Sequence, residues 1–322
     1  MKRRLYTDQY IVITGGAGML GSAVVRQLNH KGFSNLVIVD SLNTEPKWRY
    51  LLGSKFQHIL MPEDMFEWLQ AHHEQVEAVV HLAARHEMEG YTPDELLQIN
   101  YFQSIQLAEL CLKHQIRMIY GSSAETYGDG SCGFGPSPAM LQELMPLSIS
   151  GYSHHLFDLW CYHQNVFDEV TCCKVFDLLG SDDRHKPKAK QVLRRMVHEL
   201  QSDGVITLYE SPCPDRIATE SLARDFIGVA DAAELVVSFL SNQATGIYNI
   251  GRGRAVPWMQ LARHISEVLH MPLNINWQHM PQNVADTTQL ITCADLSNWA
   301  NIGPVPHGQS LDDVIRESIG AF

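Results

Sequence analysis

Short apolar runs alternate with helical patterns along the first third of the chain. The phrases "YIVITG", "NLVIVD", "AVVHLAA" and "RMIYGSS" read as strands. Between them, residues 18–31, 63–73 and 93–114 carry apolar positions at spacings of three and four. In the last of these, "PDELLQINYFQSIQLAELCLKH", acids come early and Lys-His late, as a helix dipole prefers. Strand and helix repeated this way predict a parallel sheet covered on both faces. After residue 180 the pattern loosens. "SDDRHKPKAK" is a charged loop and "ESPCPDRIATES" is rich in turn formers. Short strands near "VITLY", "RDFIGV" and "GIYNIG" alternate with helices near 229–242 and 257–270. The expected fold is α/β: a Rossmann-like doubly wound parallel sheet over 1–180 and a smaller α/β substrate lobe over 181–322. The lobe is discontinuous, and strands near 221–250 are free to return to the main sheet.

Composition narrows the function classes. A chain of 322 residues that is 45% hydrophobic can bury a large core. A formal charge of −12 without a long basic run argues against nucleic acid as a partner. The start, "MKRRLYTDQYIVITGG", has no apolar segment before its glycines, so no signal peptide is expected. No apolar run of about 18 residues exists, so no membrane partner is expected. Seven scattered cysteines without zinc spacing point to reduced thiols and a cytoplasmic setting. The pairs His72-His73 and His154-His155 would project about 100° apart on a helix, so no metal site is expected.

The strongest local signal is "VITGGAGMLGS". It places Gly15, Gly18 and Gly21 where the first strand turns into the first helix, with Met19 and Leu20 opening that helix. Glycine permits the sharp turn and the close approach of a pyrophosphate, and the helix N-terminus faces the phosphates. "VIVDS" brings Asp40 and Ser41 about 20 residues on, where an acid can hold a ribose 2′-hydroxyl. Asp40 favours NAD. Lys47, seven residues further, could instead meet the 2′-phosphate of NADP. The cofactor is therefore NAD or NADP, with affinities expected within about tenfold of one another.

The phrases "TGGAGMLGS", "VVHLAA", "GSSAETYG", "RDFIGVADAAE" and "YNIGRG" fall in the order seen in one family. The chain resembles, over nearly its whole length, the extended short-chain dehydrogenase/reductase family of nucleotide-sugar epimerases and dehydratases. "GFSNLVIVDSL", "GYSHHLFD" and "TCADLSN" are most similar to its heptose 6-epimerase branch. The resemblance implies that Leu82, Ala83, Ala84 and Asn100 also belong to the cofactor site, and that the substrate is a nucleotide-linked sugar. It also implies a homo-oligomer built on helices near 97–113 and 152–168, which carry Phe102, Leu107, Leu156, Phe157 and Trp160.

Enzymes of the family use a Tyr-x-x-x-Lys pair on one helix face, and the lysine also grips the nicotinamide ribose. Where the heptose epimerases resemble "Y-G-Y-S-K-x-L-F-D", this chain reads "S-G-Y-S-H-H-L-F-D". Ser150 stands at the tyrosine position and His154 at the lysine position. Tyr152 lies two residues along, on the opposite helix face. Three readings follow. The chemistry is lost and the protein only binds, as a sensor or partner subunit. Alternatively Ser150 and His154, four apart, form a replacement pair with the imidazole as base. Or another group acts, foremost Glu125, which stands where the family's dehydratases carry an acid–base glutamate. Ser122 and Ser123 match the family's active-site hydroxyls, and Lys186 matches a lysine at the epimerase active site. On the substrate side Arg224 could pair with a diphosphate. Asp177 replaces an asparagine there, and Thr288 replaces a tyrosine. The leading expectation is an NAD(P)-dependent enzyme of this family with a rearranged acid–base set.

Overall fold

The structure, a computed structural model, describes residues 8–42, 46–86, 90–180, 192–215, 217–242, 244–303 and 308–320. The first half runs β1 (Tyr10–Thr14), α1 (Met19–His30), β2 (Leu36–Val39), β3 (His58–Leu60), α2 (Met65–His72) and β4 (Val76–His81). It continues with α3 (Pro93–Leu97), α4 (Gln103–Lys113), β5 (Arg117–Ser123), α5 (Ile149–His163), β6 (Val170–Val175) and β7 (Asp177–Leu179). The second half runs α6 (Val192–Asp203), β8 (Ile206–Glu210), β9 (Ala223–Gly228), α7 (Val229–Ser238) and β10 (Gly246–Ile250). It ends with β11 (Ala255–Pro257), α8 (Trp258–Leu269), β12 (Ile275–His279), α9 (Gln282–Ala285) and α10 (Leu311–Gly320).

Seven parallel strands in the order β10-β6-β5-β4-β1-β2-β3 form the main sheet. Strand order reverses between β1 and β4, and ligands of such sheets bind in the crevice outside the carboxyl ends at that switch point. Every residue of β2 and β4 is buried, which is why those phrases read as continuous apolar runs. One face packs on α1 and α7 through Val24, Leu28, Ala232 and Val236. The other packs on α4 and α5 through Leu107, Cys111, Phe157 and Cys161.

The strands near 221–250 part company. β10 returns to the main sheet beside β6, whereas β9 pairs with β7 and β11 in a separate three-stranded sheet. β8 and β12 form a third, two-stranded sheet. These small sheets bury Leu193, Met196, Leu208, Phe226, Leu261 and Ile265 against α6, α8 and α10. Thus β7, inside the 1–180 segment, pairs in a small sheet, while β10 joins the main sheet and α7 packs on it.

Between α3 and α4 a wide π turn, Gln98–Phe102, inserts into the helix. A capping box between Thr92 and Glu95 starts that helix. The wide turn puts Asn100 in the interior. Of the residues expected on an outer oligomer face, Leu107 and Phe157 are instead core residues at 0% and 3% exposure. Phe102 (49%) and Tyr152 (45%) are the exposed aromatics of that surface.

Candidate active site

The glycine turn is built for close contact. Gly15 has φ +67°, and a Cβ there would lie 2.8 Å from the backbone of Leu82 and Ala83. A Cβ on Gly21 would lie 2.1 Å from the Gly15 carbonyl oxygen, so α1 can approach the turn only without a side chain. Gly18, which caps α1, is different. Among the described residues a Cβ there meets only the Gly15 oxygen, at 3.1 Å, in front of the helix N-terminus. That cradle fits a pyrophosphate. Met19 is buried and Leu20 half-buried behind it.

Asp40 ends β2 beside this turn and is buried. Its Oδ2 accepts the Ala17 N–H at 2.9 Å, and its Oδ1 lies 3.7 Å from the buried Lys47 Nζ. Asp40 thus pins the glycine turn and compensates Lys47, with lone pairs left over for a ribose hydroxyl. Ser41 follows it, half-buried.

Behind the turn runs a polar chain that sequence reading missed. Ser104 Oγ donates to the Asn100 carbonyl at 2.8 Å and receives the His81 Nε2–H at 2.9 Å. His81 Nδ1 then accepts the Thr14 hydroxyl at 2.7 Å, and Thr14 Oγ1 accepts the Ala83 N–H at 3.1 Å. Burial, and secondarily the charge of His154, lowers the His81 pKa from 6.5 to about 4. The folded value lies below the unfolded one, so the unfolded chain binds more protons between them. Stability present above pH 6.5 should fall progressively as pH drops toward about 4, by on the order of 3 kcal/mol. Urea midpoints at pH 7 and 4.5 check this. An unchanged pH dependence in His81→Gln would refute it.

Asn100, expected at the cofactor site, ties neighbouring segments together. Its Oδ1 accepts the Arg85 N–H at 2.8 Å, and its Nδ2 donates to the Arg85 carbonyl and to Ser153 Oγ, both at 2.9 Å. It fastens the loop after β4, carrying Ala83 and Ala84, to α5. Ser122, expected as an active-site hydroxyl, faces the interior. It is buried and donates to Asp158 Oδ2 at 2.9 Å.

Asp158 is the hub of a second missed network. Tyr120 donates to its Oδ1 at 2.9 Å, and Lys174 Nζ on β6 binds its Oδ2. Lys174 also donates to Thr126 Oγ1 at 2.6 Å and sits 5.0 Å from the centre of the Tyr127 ring. Lys174 and Asp158 are 1% and 0% exposed. Burial, reinforced by the Asp158 charge, pushes the Tyr120 pKa well up, so its hydroxyl remains a donor. The signals were available: a lysine interrupts the apolar run "VTCCKV", and Asp158 lies four and eight residues beyond His154 and Ser150.

Ser150, His154 and Asp158 therefore share one face of α5. Ser150 is buried at 1% exposure. Among the described residues no hydrogen bond joins it to His154. His154 is half-buried. Its pKa is lowered chiefly by burial, with Asp158 and Glu125 opposing the shift and Lys174 and His86 adding to it.

Glu125 does stand at the crevice. It follows Ser123, whose Oγ accepts the Glu125 N–H at 3.1 Å. Glu125 Oε2 accepts the hydroxyl of Ser148, the N-cap of α5, at 2.9 Å, and Oε1 lies 3.2 Å from His86 Nε2. Gly151 makes this possible, because a Cβ there would lie 2.9 Å from the Glu125 carbonyl oxygen. Gln289 clamps the same turn, donating to the carbonyls of Ala124 and Gly128 at 2.9 and 2.8 Å. His86 was not foreseen; its one signal was a titratable residue two positions after the strand phrase "VVHLAA".

In the lobe, Asp177 and Arg224 are each other's partner, at 3.6 Å. Thr288 is half-buried beside Gln289. Lys186 lies outside the described residues.

Sheet order, glycine cradle and paired acid define a dinucleotide-binding enzyme fold of the doubly wound class. The profile of the NAD dependent epimerase/dehydratase family matches residues 11–251, and the chain belongs to that family. It is 33% identical over 315 residues to an ADP-L-glycero-D-manno-heptose-6-epimerase of Nitratidesulfovibrio vulgaris, covering 97% of each chain. Its fold matches a UDP-N-acetylglucosamine 4-epimerase of Methanobrevibacter ruminantium, solved with UDP-N-acetylmuramic acid, at TM-score 0.79, 20% identity and 98% coverage of both chains. It matches a UDP-glucose 4-epimerase of Thermus thermophilus, solved with NAD, at TM-score 0.75 and 21% identity, covering 97% and 98% of the two chains.

Proposed function

We propose that the protein is an NAD-dependent epimerase acting on a nucleotide-linked sugar. The observation that carries this reading is that the open Gly18 cradle and the group Ser123, Glu125 and His154 stand at the same carboxyl end of the sheet. A bound nicotinamide would accept and return a hydride there. Gly15, Gly18, Gly21, Met19 and Asp40 would hold the dinucleotide, and the loop 82–84 would flank it. The identity to heptose epimerases over the whole chain makes ADP-heptose the first substrate to try. The test denatures purified protein to identify retained dinucleotide, then offers ADP-, GDP-, UDP- and dTDP-sugars and follows sugar mass, isomer and deuterium uptake. An inert protein across that panel sinks the reading.

The Asp40–Lys47 pair decides cofactor choice. A 2′-phosphate would have to sit against the Asp40 carboxylate, and Lys47 is already compensated by it. NAD should bind more than tenfold tighter than NADP, a gap of over about 1.4 kcal/mol. Asp40→Asn should narrow it. Calorimetry giving equal affinities for the wild type would overturn this.

The same reading includes a homo-oligomer through α4 and α5, supported by the exposed Phe102 and Tyr152 and the half-buried Trp160. Light scattering at micromolar concentration should give a multiple of the chain mass, reduced by Phe102→Asp with Tyr152→Asp. Among the described residues no helix is long and apolar enough to cross a membrane, and all seven cysteines are free. Both accord with a cytoplasmic setting.

A further inference from the structure

We propose that His86 is the catalytic acid–base residue of this site and that Glu125 is its positioning partner, together replacing the absent Tyr-x-x-x-Lys dyad. The inference rests on the epimerase reading above and names the group that moves its proton.

The geometry has the logic of a base with an orienting acid. Glu125 Oε1 lies 3.2 Å from His86 Nε2, and its other oxygen is fixed by the Ser148 hydroxyl at 2.9 Å. A carboxylate held at both oxygens is a better orienter than base, because each hydrogen bond favours its charged form. It selects the imidazole tautomer that donates from Nε2, which places the basic lone pair on Nδ1. Ser148 is in turn fixed as the α5 N-cap, accepting the Gly151 N–H at 2.9 Å, and Gly151 packs without a side chain against Glu125. The pair is thus anchored to the helix that carries the vacated dyad positions. His86 comes from the loop after β4 and Glu125 from the turn after β5, so both stand beyond carboxyl ends at the switch-point side of the sheet. His86 is 17% and Glu125 38% exposed in the side chain, consistent with a partly open site rather than a core contact. His154 on α5 is the other titratable group close enough to sense both. It has no carboxylate within hydrogen-bonding reach among the described residues, and it is kept below the usual histidine range chiefly by burial.

In the forward step, the O–H bond of a sugar carbinol breaks and its proton passes to His86 Nδ1. With an oxidised nicotinamide dinucleotide bound, the C–H bond of the same carbon would break and its electron pair would pass as hydride to that cofactor, leaving C=O. Hydride return to the opposite face of that carbonyl, with the His86 proton returned to oxygen, would complete the epimerisation.

The test uses full-length protein saturated with NAD, with ADP-heptose and the sugar-nucleotide panel as probes. His86→Gln and Glu125→Gln should each lower turnover at least a hundredfold, the scale of a lost general base. NAD affinity should change less than threefold. Nitrogen-15 shifts of the wild-type ring should show His86 protonated at Nε2, and Glu125→Gln should mix the tautomers. An active wild type with His86→Gln within threefold of it, or a ring protonated at Nδ1, overturns the pair and leaves the epimerase reading standing. A wild type inert on every probe overturns both.

Discussion

Lys174→Met is expected to lower the unfolding free energy by about 3–5 kcal/mol, a large part of the stability of a typical domain. The reason is what it leaves behind. Asp158 is fully buried, and Tyr120 and Ser122 would still donate to it, but two hydroxyls do not neutralise a carboxylate in a low-dielectric interior. The double variant Lys174→Met with Asp158→Leu should recover most of the loss, since removing both charges also removes the desolvation cost. Denaturant titrations of the single and double variants measure this directly. A single variant within about 1 kcal/mol of wild type would mean that water reaches the pair.

Gly18→Val should leave the fold intact and remove dinucleotide binding. Among the described residues a Cβ at this position has one neighbour, at 3.1 Å, so the helix can accept it with a small adjustment. The branched side chain would then occupy the space before the α1 N-terminus that a pyrophosphate needs. We expect at least a hundredfold weaker binding of NAD, about 3 kcal/mol, with a circular dichroism spectrum and denaturation midpoint close to wild type. Gly21 behaves differently. There a Cβ would sit 2.1 Å from the Gly15 oxygen, so a valine should damage folding as well as binding. Calorimetry that finds Gly18→Val binding NAD as the parent does would refute the cradle.

The cofactor half was legible because it is local. Strand, glycine turn and helix lie within "YIVITGGAGMLGS", and Asp40 closes the next strand. The proposed proton-handling groups come from segments near 86, 125, 148 and 154, far apart in sequence and brought together by the fold. No spacing rule links them, so resemblance alone pointed to Glu125 and nothing pointed to His86. β6 escaped notice because Lys174 breaks its apolar run, a charge acceptable only with Asp158 opposite. β3, β7 and β11 have three residues each, too few to show a period, and exist by pairing with their neighbours. The π turn before α4 adds a residue to one coil, which rotates the face that simple helical spacing assigns.

The closed packing around Ser150 bears on which substitutions this chain can survive. The residue is 1% exposed, and its neighbour Gly151 already lies as near Glu125 as a methyl would forbid. A phenol at 150 needs volume that the site no longer holds, and overfilling a packed interior costs about 1–3 kcal/mol. A lysine at 154 would add a cation beside the buried Lys174 without a new carboxylate to meet it. Each replacement made alone should therefore cost stability. In mutational terms a return to the tyrosine–lysine pair runs uphill at its first step, whichever residue changes first.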